Sequence, residues 1–114
     1  MKPMYVVEPH LDTATLEADL LQDAGFAVRV VTTAAADAAL PESGVGLLLL
    51  TTGPRDGAAA AALLATANRA NVPVIVTTTA RSDLDRWPSA AAVLLKPFSL
   101  EELLQQVRAH IAAE

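Results

Sequence analysis

A carboxylate, hydroxyl groups and a lysine each follow one of the short apolar runs of this sequence. Glu8 follows the first run, Thr51 and Thr78 follow the third and fourth, and Lys96 follows the fifth. If these runs are parallel strands, their carboxyl ends meet at one edge, which is where open α/β sheets bind ligands. There a lysine can neutralise a phosphoryl oxygen, a hydroxyl can donate to another, and a carboxylate can hold a divalent cation. The set is of the kind that handles phosphate.

The same edge lacks a nucleophile at its centre. A phosphoryl acceptor carboxylate would have to project from the third strand, between the first and the fourth. That strand ends in Leu47–Leu50 followed by Thr51 and Thr52, without a carboxylate, cysteine, histidine or lysine. Because a leucine side chain cannot form an acyl phosphate, the sequence predicts a phosphate-type site that has lost its acceptor.

Alternating strand and helix patterns position these residues. Strands are predicted at 4–7, 27–31, 44–51, 72–79 and 91–95, and helices at about 12–24, 34–40, 56–70 and 100–111. The fourth helical pattern, 81–87, is too short for more than one or two turns before Pro88. Five strand–helix units in strict alternation predict a parallel sheet covered by helices on both faces.

Polar residues and a glycine mark the predicted helix ends. Asp12 and Thr33 are predicted N-caps of the first two helices, and Gly25 is predicted just past the end of the first. Ser99 and Glu102 predict a capping box at the start of the last helix, which carries its apolar residues at helical spacing.

The composition excludes several classes of function. The chain has 114 residues and no cysteine, which rules out disulfides, thiolate catalysis and sulfur-ligated metals. Its net charge is −5 and its arginines are scattered singly, so a nucleic-acid surface is not expected. The start of the sequence turns polar too early for a signal peptide, and no apolar stretch approaches the ~20 residues of a membrane span. We expect a single cytoplasmic domain over residues 1–114.

Several segments, in their order, resemble the receiver domains of bacterial response regulators, the CheY-like family. YVVEPH is similar to the family's first strand with its acidic pair, and VPVIVTTTA to its fourth strand with the switch threonine. LLKPFSLEELLQQV is similar to the fifth strand, the Lys-Pro turn and the last helix, and GPRDG to the segment after the third strand. The resemblance covers the whole chain. It implies a flavodoxin-like three-layer α/β fold, with a five-stranded parallel sheet of order 2-1-3-4-5 and a shortened fourth helix.

The resemblance assigns roles to three residues that match the family's site. Lys96 matches the family's lysine, Thr78 its switch hydroxyl, and Glu8 the first member of its acidic pair. We expect Lys96 to pair with Glu8, because a partly buried charge is costly without a partner.

Other positions of the family's site are lost. Pro9 stands where the second acidic residue usually coordinates the metal, and Val93 stands at the usual aromatic switch position. Leu50 stands at the phosphoacceptor aspartate, or Leu49 does if the alignment is shifted by one residue. A single carboxylate is a poor site for Mg²⁺, which needs octahedral oxygen ligands. We therefore expect no phosphoacceptor, no metal and no cofactor in this degenerate pocket.

The resemblance then implies an atypical receiver, a pseudo-receiver, that is not an enzyme. It would act in signal transduction as a phosphorylation-independent interaction module for a protein partner. The family's contact surface is the fourth helix, fifth strand and last helix, and a homodimer through this surface is one expected assembly. The candidate contact residues are Arg86, Trp87, Glu101, Gln105 and Arg108. Trp87 is either a partner anchor or a cap on the core, and the sequence leaves both open.

Two other functions stay open. A small-ligand sensor could use the vacated pocket between Glu8, Leu50, Thr78 and Lys96. A phosphoreceiver could use an unconventional acceptor such as Thr51.

Overall fold

Strands and helices alternate along the chain, as the sequence predicts. The computed structural model describes residues 2–42, 44–52 and 57–111. The strands are β1 (Met4–Val7), β2 (Val28–Val30), β3 (Leu47–Thr51), β4 (Val74–Thr78) and β5 (Ala92–Leu95). The helices are α1 (Leu11–Asp23), α2 (Thr33–Ala39), α3 (Gly57–Arg69) and α4 (Leu100–His110), with short 3-10 helices at Leu40–Glu42 and Arg81–Asp85.

All five strands pair in parallel, in the order β2-β1-β3-β4-β5. In this register Leu50 lies between Val7 of β1 and Val76 of β4, and Thr51 lies opposite Thr77. The predicted order is confirmed. In this order β3, the strand from which a phosphoryl acceptor would have to project, is the central strand.

The sheet separates two apolar clusters. Leu48 and Leu50 pack on the face covered by α2 and α3, whereas Leu47 and Leu49 pack on the face covered by α1 and α4. Leu47–Leu50 are at most 3% exposed, because β3 is covered on both faces. The arrangement is a three-layer sandwich, as expected from the sequence.

The structure corrects two of the predicted helix starts. His10 is the N-cap of α1, so Asp12 lies within the first turn, where its charge still favours the helix dipole. Thr32, rather than Thr33, caps α2, and its Oγ1 accepts a hydrogen bond from the Ala35 amide at 3.1 Å. Two polar residues lie close together at each of these helix starts, and the sequence alone does not show which of the two is the N-cap.

Two other predicted ends are confirmed. Ser99 and Glu102 form the capping box of α4, and Gly25 follows α1 with a φ of 101°, in the left-handed region that favours glycine. The predicted fourth helix is reduced to the 3-10 helix Arg81–Asp85. In the described part of the chain, no helix has the length and apolar character needed to cross a membrane.

Candidate functional site at the carboxyl edge of the sheet

An ion pair spans the carboxyl edge of the sheet. Lys96 follows β5 and Glu8 follows β1, and Lys96 Nζ lies 3.2 Å from Glu8 Oε1. Because β3 and β4 lie between β1 and β5, this pair crosses the ends of both central strands. The second carboxylate oxygen, Glu8 Oε2, accepts a hydrogen bond from the His10 amide at 3.3 Å. The expected partner of Lys96 is therefore present, and both Glu8 oxygens are occupied.

The burial of Glu8 makes its pairing with Lys96 important for stability. The Glu8 side chain is fully buried, and that of Lys96 is 25% exposed. A buried carboxylate without a partner costs several kcal/mol, and the lysine offsets part of that cost. The pair therefore stabilises the edge only while both groups remain bonded to each other.

The Thr78 hydroxyl is bonded to an internal carboxylate. Thr78 Oγ1 donates to Asp83 Oδ2 at 2.7 Å and accepts from the Ala80 amide at 3.0 Å. Thr52 Oγ1 donates to the same Asp83 oxygen at 3.4 Å, and Arg86 Nη1 approaches the other at 3.4 Å. Asp83 is 6% exposed, so its carboxylate ties the 3-10 helix Arg81–Asp85 to the ends of β3 and β4.

Sequence reasoning missed Asp83. In RSDLDRW the two aspartates are equivalent by composition, and no periodicity distinguishes them in so short a segment. The structure buries Asp83 beneath Thr78 and leaves Asp85 exposed. The 3-10 geometry decides this difference, and the sequence pattern did not fix that geometry.

The lost positions of the site are apolar or outside it. Pro9 is exposed and offers no ligand atom, and Val93 is half-buried against the cluster that contains Leu50. Thr51 is the polar residue that ends β3, and its Oγ1 lies 2.8 Å from Thr77 Oγ1. The described residues include no group of three or more histidine, aspartate or glutamate side chains placed to hold a metal ion. Residues 53–56 of the GPRDG motif lie outside the described residues.

Neither of the two cavities described for this edge is lined by all four residues of the expected pocket, Glu8, Leu50, Thr78 and Lys96. A cavity of about 420 Å³ at the ends of β1 and β3 includes Glu8, Leu50 and Thr51 in its lining. Lys96 lines a different groove, and Thr78 lines neither. At this edge Lys96 extends to Glu8, while the Thr78 hydroxyl turns to Asp83.

The predicted contact surface is partly exposed. Glu101, Gln105 and Arg108 lie at helical spacing on one exposed face of α4, and the Arg86 side chain is 50% exposed. Trp87 does not lie in an exposed connection: it is 5% exposed and belongs to the core cluster on the α3 face. The short Arg81–Asp85 helix brings it against α3, so its side chain caps the core on this face.

Solved receiver domains share this fold. Chemotaxis protein CheY4 of Vibrio cholerae matches with a TM-score of 0.80 at 18% identity, covering 97% of this chain and 99% of that one. The response regulator TrrA of Thermotoga maritima, solved in complex with Mg²⁺ and BeF, matches with 0.77 at 22% identity, covering 97% and 100%. A receiver domain from Clostridium thermocellum matches with 0.82 at 16% identity, covering 97% and 94%. No protein-family model matches the sequence, and no curated protein is significantly similar to it. The chain has the CheY-like receiver fold.

The Asp83 network leads to a stability prediction. Asp83→Ala leaves the Thr78 and Thr52 hydroxyls without their acceptor, so we expect the free energy of unfolding to fall by about 2–3 kcal/mol. Asp85→Ala, an exposed aspartate two residues away, is the matched control, and its effect should stay within about 0.5 kcal/mol. Urea unfolding measures both variants. Equal losses in the two variants would contradict the role of Asp83.

Proposed function

We propose that this chain is a receiver-like signalling domain that does not accept a phosphoryl group and acts as a protein interaction module. One observation carries the proposal: the ammonium and the hydroxyl that would donate hydrogen bonds to phosphoryl oxygens are bonded to carboxylates of the chain itself. Lys96 is paired with Glu8 at 3.2 Å, and Thr78 donates to Asp83 at 2.7 Å. The proposed module is cytoplasmic and not an enzyme, like the signalling domains it resembles.

Energetics support this proposal. A phosphoryl group at this edge could bind Lys96 only after the lysine left Glu8. The buried Glu8 carboxylate would then have no counterion. It could bind Thr78 only after Asp83 lost its shortest hydrogen bond. Hydrogen bonds to charged groups contribute about 1.5–3 kcal/mol each, so both exchanges oppose phosphoryl binding. No compensating covalent bond is available, because Leu49 and Leu50 are buried leucines.

Small phosphodonors test the proposal. After incubation with Mg²⁺ and acetyl phosphate, we expect the intact mass of the protein to stay unchanged, because β3 offers no carboxylate to form an acyl phosphate. A receiver domain that retains its acceptor aspartate, treated in parallel, provides the positive control. A stoichiometric phosphoryl adduct on this chain would overturn the proposal.

The chemistry of any adduct would identify its site. An acyl phosphate is cleaved by hydroxylamine, whereas a phosphothreonine survives it. A stable adduct that Thr51→Val abolishes would establish Thr51 as an unconventional acceptor in place of our proposal. Thr33→Val is the matched control, since Thr33 is an exposed threonine that lines the same cavity and does not cap α2.

The proposed contact surface is the exposed stripe of α4; the Arg86 guanidinium lies beside Gly57 at the start of α3. Glu101 and Arg108 lie seven residues apart on one exposed stripe of α4, with Gln105 between them. A twofold axis that packs two such helices antiparallel would place Glu101 of one copy against Arg108 of the other. This complementarity favours a homodimer as the simplest assembly of the module.

Charge reversal tests the dimer. Glu101→Arg or Arg108→Glu alone would place like charges opposite each other, so we expect self-association to weaken by about tenfold or more. The double variant restores the opposite charges and should recover the wild-type association. Sedimentation equilibrium measures the effect, and Arg69→Glu, a charge reversal at an exposed residue of α3, is the control. A monomeric wild type, or a double variant that stays weakened, would rule out this dimer.

A further inference from the structure

A groove lies between α1 and α4, beside the end of β5. Its volume is about 450 Å³, within the range of small-molecule pockets. Leu16 and Leu20 of α1 line one side, and Phe98, Leu100 and Leu103 line the other. Leu16 and Leu100 are 59% and 38% exposed, so the rim of the groove presents apolar surface to solvent. This groove lies on a different face of α4 from the stripe Glu101, Gln105 and Arg108.

A buried carboxyl group lines this apolar groove. Glu17 of α1 is 8% exposed, and its Oε1 has no hydrogen-bond partner among the described residues. Buried polar atoms almost always have a partner, and an unsatisfied one is costly. Burial raises the pKa of Glu17, while Lys96 lowers that pKa and Glu8 raises it. Perturbed carboxyl groups of this kind are concentrated at binding and catalytic sites.

The charges near the groove favour a cationic ligand. Lys96 also lines the groove, but its ammonium is paired with Glu8 at 3.2 Å. The pair Glu8–Lys96 is neutral overall, so an ionised Glu17 beside it leaves one negative charge. A single positive charge with hydrogen-bond donors would compensate it and would supply the missing partner of Oε1.

We propose that the groove is a binding site for a small amphiphilic primary amine. Its ammonium donates to Glu17 Oε1, and its aliphatic or arylalkyl body covers Leu16, Phe98 and Leu100. The terminal torsion of a glutamate is soft, so a small rotation presents Oε1 to the groove. A slender alkylammonium reaches a buried oxygen, whereas the broad surface of a second protein chain stops at the leucine rim. The site is independent of the proposed interaction surface.

The probe is hexylammonium, compared with hexanol and hexanoate at pH 7. We expect saturable shifts of the Leu16, Leu100 and Leu103 methyl signals in ¹H–¹³C spectra. Hexanol should bind at least about tenfold more weakly, because it lacks the charge-assisted hydrogen bond, and hexanoate more weakly still. Absence of saturable shifts, or hexanol or hexanoate binding as tightly as hexylammonium, would overturn the proposal.

A charge-neutral variant locates the acceptor. Glu17→Gln keeps the size of the side chain, so we expect it to lose at least about tenfold in affinity for hexylammonium and to keep that for hexanol. Asp19→Asn removes a similar charge from the exposed side of α1 and should keep the wild-type affinity. Retained hexylammonium affinity in Glu17→Gln would overturn the assignment. If that variant does not fold, the ranking of the three probes on the wild type decides alone. Concentration-dependent shifts without ligand that are confined to the Leu16 and Leu20 methyl groups of α1 would place a second copy of the chain in the groove and also overturn it.

Discussion

The ion pair between Glu8 and Lys96 spans the carboxyl edge of the sheet, and in our account it limits what that edge can bind. Parallel pairing in the order β2-β1-β3-β4-β5 brings the residues after each strand together, and it places two central strands between this pair. The Glu8 side chain is fully buried, and a buried carboxylate without a partner destabilises the fold. The lysine compensates it internally. In our account, a phosphoryl group at Lys96 would compete with that bond.

A second buried carboxylate, that of Asp83, binds polar side chains at the ends of β3 and β4. Asp83 accepts hydrogen bonds from Thr78 and Thr52 and is approached by Arg86, whose guanidinium also lies 5.1 Å from the centre of the Trp87 ring. The short 3-10 helix, the tryptophan that caps the α3 face and the end of β4 are thereby joined in one network. In our account these bonds are always present, so the geometry of this network does not depend on a covalent modification.

The sequence was sufficient for the parts of this structure that rest on strong local patterns. The apolar run Leu47–Leu50 predicted a strand buried on both faces, and the Ser99–Glu102 spacing predicted the capping box. The Glu8–Lys96 pair followed from the resemblance together with the cost of an unpaired buried charge. The strand and the capping box can be predicted from local residue patterns, and the ion pair from the strand order and the residues that follow β1 and β5.

The remaining features depend on tertiary packing that no short pattern encodes. Asp83 and Asp85 differ only in how a 3-10 turn orients them, and Trp87 is buried because that turn folds against α3. Glu17 occupies a helix position that the sequence leaves unremarkable, and it is buried only once α4 packs beside α1. The sequence did not single out Asp83, so the partner of the Thr78 hydroxyl was not part of the expected pocket.

The most direct test of the central claim is a titration of the protein with beryllofluoride, a mimic of the phosphoryl group, in the presence of Mg²⁺. Amide ¹H–¹⁵N spectra would follow Thr51, Thr52, Thr78 and Lys96, which lie at the carboxyl edge. Because Lys96 and Thr78 are bonded to Glu8 and Asp83, our account predicts no saturable shift at these residues. Saturable shifts confined to them would contradict it and would show that the edge still binds a phosphoryl group.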